Sequence, residues 1–278
     1  MTTVAHLVCL SFTFIYVAGF YVFSVQGDRN SPNVIRARMK SVMLASLLSA
    51  LMVWYYLQAT TDYLWVALGI RPVSWYLLSP LFLTVLLFLG PLSVLYFDRE
   101  LPFQTHCSFS DIKAIWTSLI GQRNYCVGPL TEEFVFRACM IAVLFHAGMN
   151  SSQLIFISPL YFGVAHVHHA WNTYVQLGKT HQALKRALFS SLFQFVYTSI
   201  FGWYESYLFL RLGSLWPPVL CHSFCNMMGF PDLDGFSYRP KYQKYIIASC
   251  FISGLVLFIY YFSRLTHPDL VGGSMYWP

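Results

Sequence analysis

The sequence has few charged side chains. Only 10% of its 278 residues are Asp, Glu, Lys or Arg, whereas about 25% of the residues in a typical soluble domain are charged. Hydrophobic residues make up 57% of the chain, more than a single water-surrounded core can bury. The long uncharged stretches therefore predict a polytopic membrane protein and exclude an ordinary soluble domain.

Several other patterns are absent, and each absence excludes a class of protein. The seven cysteines lack the spacing of a zinc ribbon or a thioredoxin-like site, so neither a disulfide framework nor structural zinc is indicated. The net charge is +6, but no basic cluster with interleaved aromatic residues occurs, so no nucleic-acid partner is expected. No internal repeat or low-complexity run divides the chain. We expect one membrane-embedded domain over residues 1–278, with its motif-bearing part at about 125–232.

Apolar windows of about 20 residues, the length that crosses a bilayer, predict an all-α fold with about eight transmembrane helices. The first window lacks a charged n-region and a small-residue cleavage site, so it is interpreted as a retained helix rather than a signal peptide. The predicted spans are 4–25, 41–59, 73–97, 130–148, 151–172, 188–212, 214–230 and 245–263.

The cations between the spans predict the orientation of the protein. In an eight-span arrangement, 13 of the 17 Lys and Arg residues lie on one side and three on the other. Because cytoplasmic loops are enriched in Lys and Arg, the first side is expected to face the cytosol. The loops on that side are 26–40, 98–129, 173–187 and 231–244.

Three ionisable side chains occur together in the fourth predicted span. A charge at the centre of a span costs about 2.5–3.5 kcal/mol, so such residues normally face a protein interior or a water-filled cavity. Glu133 and Arg137 are four residues apart, on one helical face and within pairing distance, whereas Glu132 points about 100° away. Both acids lie near the predicted start of the span, where the helix dipole favours negative charge.

Two further predicted spans carry polar residues. His166 lies near the cytosolic end of the fifth span, and His222 and Asn226 are four residues apart on one face of the seventh. Each pattern alone is compatible with hydrogen bonding between helices. In the eight-span arrangement, however, these three residues share one membrane depth with Glu132, which predicts a polar cavity open to the cytosolic side.

The chemistry of these groups points to hydrolysis. A carboxylate and an imidazole that contact one water molecule can remove its proton and make it a nucleophile, and we interpret Glu132 and His166 as that pair. Attack on a peptide carbonyl builds negative charge on its oxygen. His222 and Asn226 supply two donors at the spacing of an oxyanion hole. The predicted reaction is hydrolysis of a peptide bond within the membrane.

Three motifs, in this order and separation, resemble those of the CAAX-processing intramembrane endopeptidases, in particular their eukaryotic Ras-converting branch. They are Glu132-Glu133-x-x-x-Arg137, Phe162-x-x-x-His166 and His222-x-x-x-Asn226. The resemblance implies a glutamate-dependent protease of the endoplasmic reticulum membrane, with its active site facing the cytosol. It implies removal of the last three residues from farnesylated or geranylgeranylated CAAX proteins, such as Ras-like small GTPases, without a metal or cofactor.

The resemblance also implies roles that agree with the chemistry of the residues. It assigns water activation to Glu132 and His166, and oxyanion stabilisation to His222 and Asn226. The residues that would support the site are Glu133 and Arg137.

Other functions fit the same side chains. Glu132, His166 and His222 would make a plausible zinc set with an open fourth position, although no HExxH helix occurs. A proton-relay transporter would also place acids and histidines within the membrane, although no inverted repeat or broken-helix pair is evident. A binding relative that keeps the cavity without turnover is a further alternative.

Overall fold

The computed structural model describes residues 2–58, 60–72, 74–230 and 238–277, apart from the side chains of His168 and His169. The predicted span ends at 59 and 73, and the end of the motif-bearing part at 231–232, lie outside these residues. Within the described ranges the regular elements are helices, and an isolated bridge joins Ser274 and Trp277. The all-α prediction is confirmed.

The α-helices follow one another with short connections. The 3₁₀ turns Trp75–Leu78 and Pro268–Val271 accompany them. In chain order the α-helices are α1 (Thr2–Val22), α2 (Pro32–Leu57), α3 (Thr61–Ala67), α4 (Ser79–Leu87), α5 (Leu89–Asp98), α6 (Phe109–Thr117), α7 (Leu119–Gly121), α8 (Gly128–Glu133), α9 (Met140–His146), α10 (Ser151–Ala165), α11 (His168–Gln176), α12 (His181–Leu212), α13 (Trp216–Met228) and α14 (Lys241–Leu265).

Among the described residues, three helices are long and apolar enough to cross a membrane, namely α1, α2 and α14. The outer face of α14 carries Ile252, Val256 and Ile259, each between 58% and 66% exposed. Exposed apolar surface costs about 25 cal/mol per Å² in water but is stable against lipid tails. The chain therefore has the architecture of a membrane protein with several apolar helices, while the count of about eight spans stays a prediction.

The third predicted span, 73–97, is broken. The helical segments on either side of Phe88 meet at a bend of 66°, and together they form a fourth candidate span. Pro91 lies in the first turn of α5, and its ring nitrogen cannot donate a hydrogen bond to the carbonyl of Leu87. The sequence predicts 73–97 as one span and gives no sign of this bend.

Several helices begin earlier than predicted because charged residues had been assigned to loops. α2 begins at Pro32 rather than at 41, which places Arg36 and Arg38 on a helix. α12 and α14 begin at His181 and Lys241, before the predicted 188 and 245. Long basic side chains can extend from a helix to a polar boundary, so they do not end the helix.

The chain from 119 to 146 is one continuous helical stretch, here called the central helix, at the middle of the molecule. Its α-helical parts alternate with two π-helical segments, Gln122–Val127 and Phe134–Cys139. Between Val135 and Leu144 no side chain is more than 3% exposed, because the other helices surround it. The fourth span was predicted to begin at 130. Because the central helix already begins at 119, Glu132 and Glu133 lie within it and not in its first turn. The argument that the dipole at a helix start favours their negative charge was therefore wrong.

A glycine and a proline explain the first π-helical segment. A Cβ atom on Gly128 would lie 2.7 Å from the carbonyl oxygen of Arg123, to which the Gly128 N–H donates. Pro129 has no N–H, so the carbonyl of Asn124, five residues before it, loses the donor that a π-helix would supply. Segments of this type are common at functional sites.

Side chains of α13 compensate for the missing backbone donor. Asn226 Nδ2 donates to the carbonyl oxygen of Asn124 at 3.0 Å, and Ser223 Oγ donates to that of Tyr125 at 2.7 Å. Backbone carbonyl groups that a helix leaves without a donor are stabilised by such partners. These two bonds dock α13 against the central helix.

α10 and α12 pack closely at a glycine. A Cβ atom on Gly202 would lie 2.6 Å from the Cβ of Pro159, so the two helices could not approach as they do with a larger residue. α10 ends at Ala165 and not at 172 as predicted, and the N–H of His166 donates to the Gly163 carbonyl at 3.1 Å. α11 begins at His168, so His166 lies in the short break between the two helices.

Candidate active site

Glu133 lies at the centre of a buried network that joins the central helix to α13. Its side chain has no exposed surface. Its Oε1 accepts a hydrogen bond of 2.6 Å from His222 Nδ1, and its Oε2 lies 3.0 Å from Arg137 Nε. The pairing of Glu133 with Arg137 that their spacing predicts is confirmed. Because a carboxylate can only accept, the bond places a hydrogen on Nδ1 of His222.

Arg137 is fully buried although it carries a charge. Besides the Glu133 carboxylate, the ring of Phe162 compensates the guanidinium, whose central carbon lies 4.6 Å from the ring centroid. A buried ion pair is stable only when its desolvation is offset by close contacts of this kind. The network is therefore expected to be rigid.

Glu132 points away from the network and lines a cavity, as its one-residue offset predicts. The cavity has a volume of about 400 Å³, within the usual range of about 300–1,000 Å³ for ligand pockets. The carboxylate is 26% exposed, and its Oε2 lies 3.7 Å from Nε2 of His222. That separation is too long for a direct hydrogen bond, but a water or substrate oxygen could contact both groups.

His166 and Asn226 line the same cavity as Glu132. Nδ1 of His166 donates to the carbonyl oxygen of Phe162 at 2.8 Å, so Nε2 is the basic nitrogen of the neutral ring. Asn226 uses one amide hydrogen to bind the Asn124 carbonyl and has a second for a ligand. His222 is buried behind Glu132 with 6% of its surface exposed. The structure thus brings the six predicted site residues together.

Sequence reasoning missed other residues of the cavity. Arg29, Arg38 and Arg123 line it, although the sequence pattern had assigned them only a role in orienting loops. Tyr16 of α1 also lines it, and its hydroxyl lies 2.9 Å from Thr131 Oγ1. These contacts depend on how the start of α2 folds over the central helix, which the local sequence does not encode.

The geometry also bears on the alternative functions. Among the described residues, no three His, Cys, Asp or Glu side chains are arranged to hold a metal ion, and Glu132, His166 and His222 do not form such a group. The bent pair at Phe88, the feature that would suit a transporter, contributes no described residue to the cavity. Neither alternative gains support from the arrangement.

Comparisons with known proteins agree on one family. The family described as Type II CAAX prenyl endopeptidase Rce1-like matches residues 114–228. The human CAAX prenyl protease 2 is 38% identical over 283 residues, which cover 95% of this chain and 82% of the human protein. The probable CAAX prenyl protease 2 of Schizosaccharomyces pombe is 35% identical, with 91% and 90% of the two chains covered. The CAAX prenyl protease 2 of Caenorhabditis elegans is 28% identical, with 88% and 91% covered. No solved structure matches the chain.

Proposed function

Because this chain belongs to the CAAX prenyl protease 2 family, we propose that it is an intramembrane endopeptidase that hydrolyses the peptide bond after the prenylated cysteine of CAAX proteins. The reaction releases the last three residues of the substrate. The observation that carries this proposal is the cavity shared by Glu132, His166 and Asn226, with His222 directly behind the carboxylate. An acid, an imidazole and an amide donor around one space, with a second imidazole next to the acid, are the groups that hydrolysis by water requires.

In the proposed mechanism, Glu132 and His166 bind a water molecule and Glu132 accepts its proton. The water oxygen bonds to the scissile carbonyl carbon, and the carbonyl oxygen becomes an oxyanion. When this intermediate collapses, the bond between carbon and nitrogen breaks, and Glu132 returns the proton to the leaving amine. Water is consumed and two peptides are formed, so the balance needs no further reactant.

The oxyanion is stabilised by His222 and Asn226. Nδ1 of His222 already donates to Glu133, so the ring must be an imidazolium to donate through Nε2 as well. The Glu133 carboxylate compensates that charge, and Arg137 fixes the position of the carboxylate. Asn226 adds its second amide hydrogen. Loss of one such donor typically lowers kcat about 10²–10³-fold.

We further propose that the cavity faces the cytosol and that the protein resides in the endoplasmic reticulum membrane. Three arginines of the cavity wall come from 26–40 and 98–129, two of the cation-rich segments. Segments rich in Lys and Arg are retained on the cytosolic side. A prenylated tail inserts into the cytosolic leaflet, so this orientation suits farnesylated or geranylgeranylated substrates such as Ras-like small GTPases.

The decisive experiment is cleavage of a farnesylated CAAX peptide by the purified full chain in phosphatidylcholine nanodiscs, with the released tripeptide measured by mass spectrometry. We expect the wild type to release it and Glu132→Ala to lose at least about 10²-fold in rate. Glu100→Ala, which removes an exposed acid outside the cavity, should cleave like the wild type. Undiminished cleavage by Glu132→Ala, or none by the wild type, would overturn the proposal.

The same preparation separates this mechanism from the zinc alternative. After exhaustive treatment with a chelator, the protein is analysed for bound metal and assayed at once. Cleavage at the untreated rate by metal-free protein supports the glutamate-dependent reaction. If cleavage is lost and added zinc restores it, the result would instead support a metal centre built on Glu132, His166 and His222.

A further inference from the structure

Three arginines line the cavity that contains Glu132. Arg29 precedes α2, Arg38 lies in its second turn, and Arg123 belongs to the first π-helical segment. Each of the three lies within electrostatic range of the other two. Among the described residues, none of them forms an ion pair with a carboxylate. A concave surface that concentrates positive charge in this way attracts an anion.

Arg123 holds this part of the wall in place. Its side chain donates to three acceptors from two segments of the chain and thereby ties the residues before α2 to the central helix. The bonds run from Nε to Asn124 Oδ1 at 2.9 Å, from Nη1 to the Arg29 carbonyl at 3.1 Å and from Nη2 to Asn30 Oδ1 at 3.1 Å. Most of its hydrogen-bonding capacity is therefore used within the protein.

Arg38 is different from Arg123 because its donors are not used in this way. Its side chain is partly buried, and its guanidinium lies 5.6 Å from the centroid of the Phe20 ring. No hydrogen-bond acceptor contacts its guanidinium among the described residues. A partly desolvated guanidinium is best stabilised by a bidentate bond with a carboxylate or phosphate.

On the premise of the proposed protease function, we propose that Arg38 and Arg29 bind the free C-terminal carboxylate of the CAAX substrate, and that Arg123 positions them. Every such substrate carries this carboxylate three residues after the scissile bond. Three extended residues span at most about 10–11 Å, so the carboxylate must be bound close to the catalytic groups. Arg29 meets the requirement of lying close to the catalytic groups, because its charge interacts with those of both Arg38 and Glu132.

A carboxylate site at this place also determines which peptide bond is cleaved. If the terminal carboxylate is fixed by Arg38 and Arg29, the bond that reaches Glu132 is determined by the length of the intervening chain. One additional residue moves the carboxylate by about 3.3–3.6 Å, which is more than a guanidinium–carboxylate bond tolerates. The proposal therefore accounts for release of three residues rather than two or four.

The test compares farnesylated peptides that end in a free carboxylate with otherwise identical C-terminal amides. Binding is measured with non-hydrolysable analogues, in which an ether replaces the scissile amide, and cleavage with the normal peptides. Wild-type protein in neutral phosphatidylcholine nanodiscs should prefer the acid at least tenfold in Kd and in kcat/KM. Arg38→Gln should lose most of that preference through weaker binding of the acid, while binding and kcat of the amide stay unchanged.

Arg36→Gln is the matched control, because Arg36 lies on the same helix, is exposed and does not line the cavity. It should keep the preference of the wild type.

Equal binding of acid and amide by the wild type would overturn the proposal, and so would an equal loss for both peptides in Arg38→Gln. If the arginines instead bind lipid phosphate, phosphatidylserine in the nanodiscs should alter the binding of acid and amide alike. Acid preference without any cleavage would retain the carboxylate site and refute the protease function, so the two failures are distinguishable.

Discussion

His222 donates through Nδ1 to a Glu133 carboxylate that has no exposed surface, across a distance of 2.6 Å. The bond orients the ring so that its other nitrogen, Nε2, lies near the carboxylate of Glu132 at 3.7 Å. Two adjacent acids thereby have separate environments. Glu133 belongs to the interior of the protein, and Glu132 belongs to the cavity.

Replacing the two acids should therefore have different consequences. Glu133→Gln removes the negative charge that faces Arg137 while keeping the shape of the side chain, and the unpaired buried cation should cost about 3–5 kcal/mol of stability. Glu132→Gln changes a group that is 26% exposed and should unfold near the wild-type temperature while losing peptide cleavage. Thermal unfolding in detergent and cleavage of a farnesylated peptide measure the two effects. Equal destabilisation by both variants would contradict the division of roles.

Another fully buried acid provides a contrast to Glu133. Glu205 on α12 also has no exposed surface, but neither of its carboxyl oxygens has a hydrogen-bond partner in the part of the chain that the structure describes. Burying an unsatisfied polar group costs about 1–3 kcal/mol, so Glu205→Met should leave stability unchanged or raise it by up to that amount. The measurement is chemical denaturation in micelles, with Glu133→Met as the comparison. A marked loss of stability in Glu205→Met would mean that the acid is paired within the membrane.

Local periodicity was sufficient to predict the contacts within single helices. A separation of four residues placed Glu133 beside Arg137, and the offset of one residue placed Glu132 on a different face. The same rule put His222 and Asn226 on one side of α13. Such contacts follow from helical geometry alone, so they do not depend on how the helices pack.

Contacts between helices could not be predicted in this way. Arg38 was assigned to a loop because hydropathy windows end at charged residues, whereas it lies on α2 and faces the cavity. Asn226 bonds to the Asn124 carbonyl, which the missing N–H of Pro129 leaves without a donor only if the helix has the π-helical register. Tertiary packing decides both features, and a single sequence carries little information about it.

The close packing of α10 on α12 should make Gly202 intolerant of a side chain. Gly202→Ala would place a methyl group 2.6 Å from Pro159 Cβ and 3.3 Å from Arg137 Nη2, and neither group can move freely. Overpacking of this kind costs about 1–3 kcal/mol. Because α10 ends beside His166, cleavage should also become slower. Ser190→Ala is the control, because Ser190 lies at an exposed position of α12, the helix that contains Gly202. It should change neither the unfolding temperature nor kcat.

Asn226 has two possible contributions, and α13 offers a variant that separates them. Asn226 and Ser223 each donate one hydrogen bond to a carbonyl of the central helix, at 3.0 and 2.7 Å. Asn226→Ala and Ser223→Ala should therefore lose similar amounts of stability, about 0.5–1.5 kcal/mol each.

The two variants should differ in catalysis, because only Asn226 lines the cavity. If its second amide hydrogen binds the oxyanion, Asn226→Ala lowers kcat about 10²–10³-fold with little change in KM. Ser223→Ala should keep a kcat close to that of the wild type. Steady-state kinetics with a farnesylated CAAX peptide, alongside thermal unfolding of both variants, provides the comparison. A similar and small fall in kcat for both would reduce Asn226 to a residue that docks α13, and His222 would then be the remaining donor for the oxyanion.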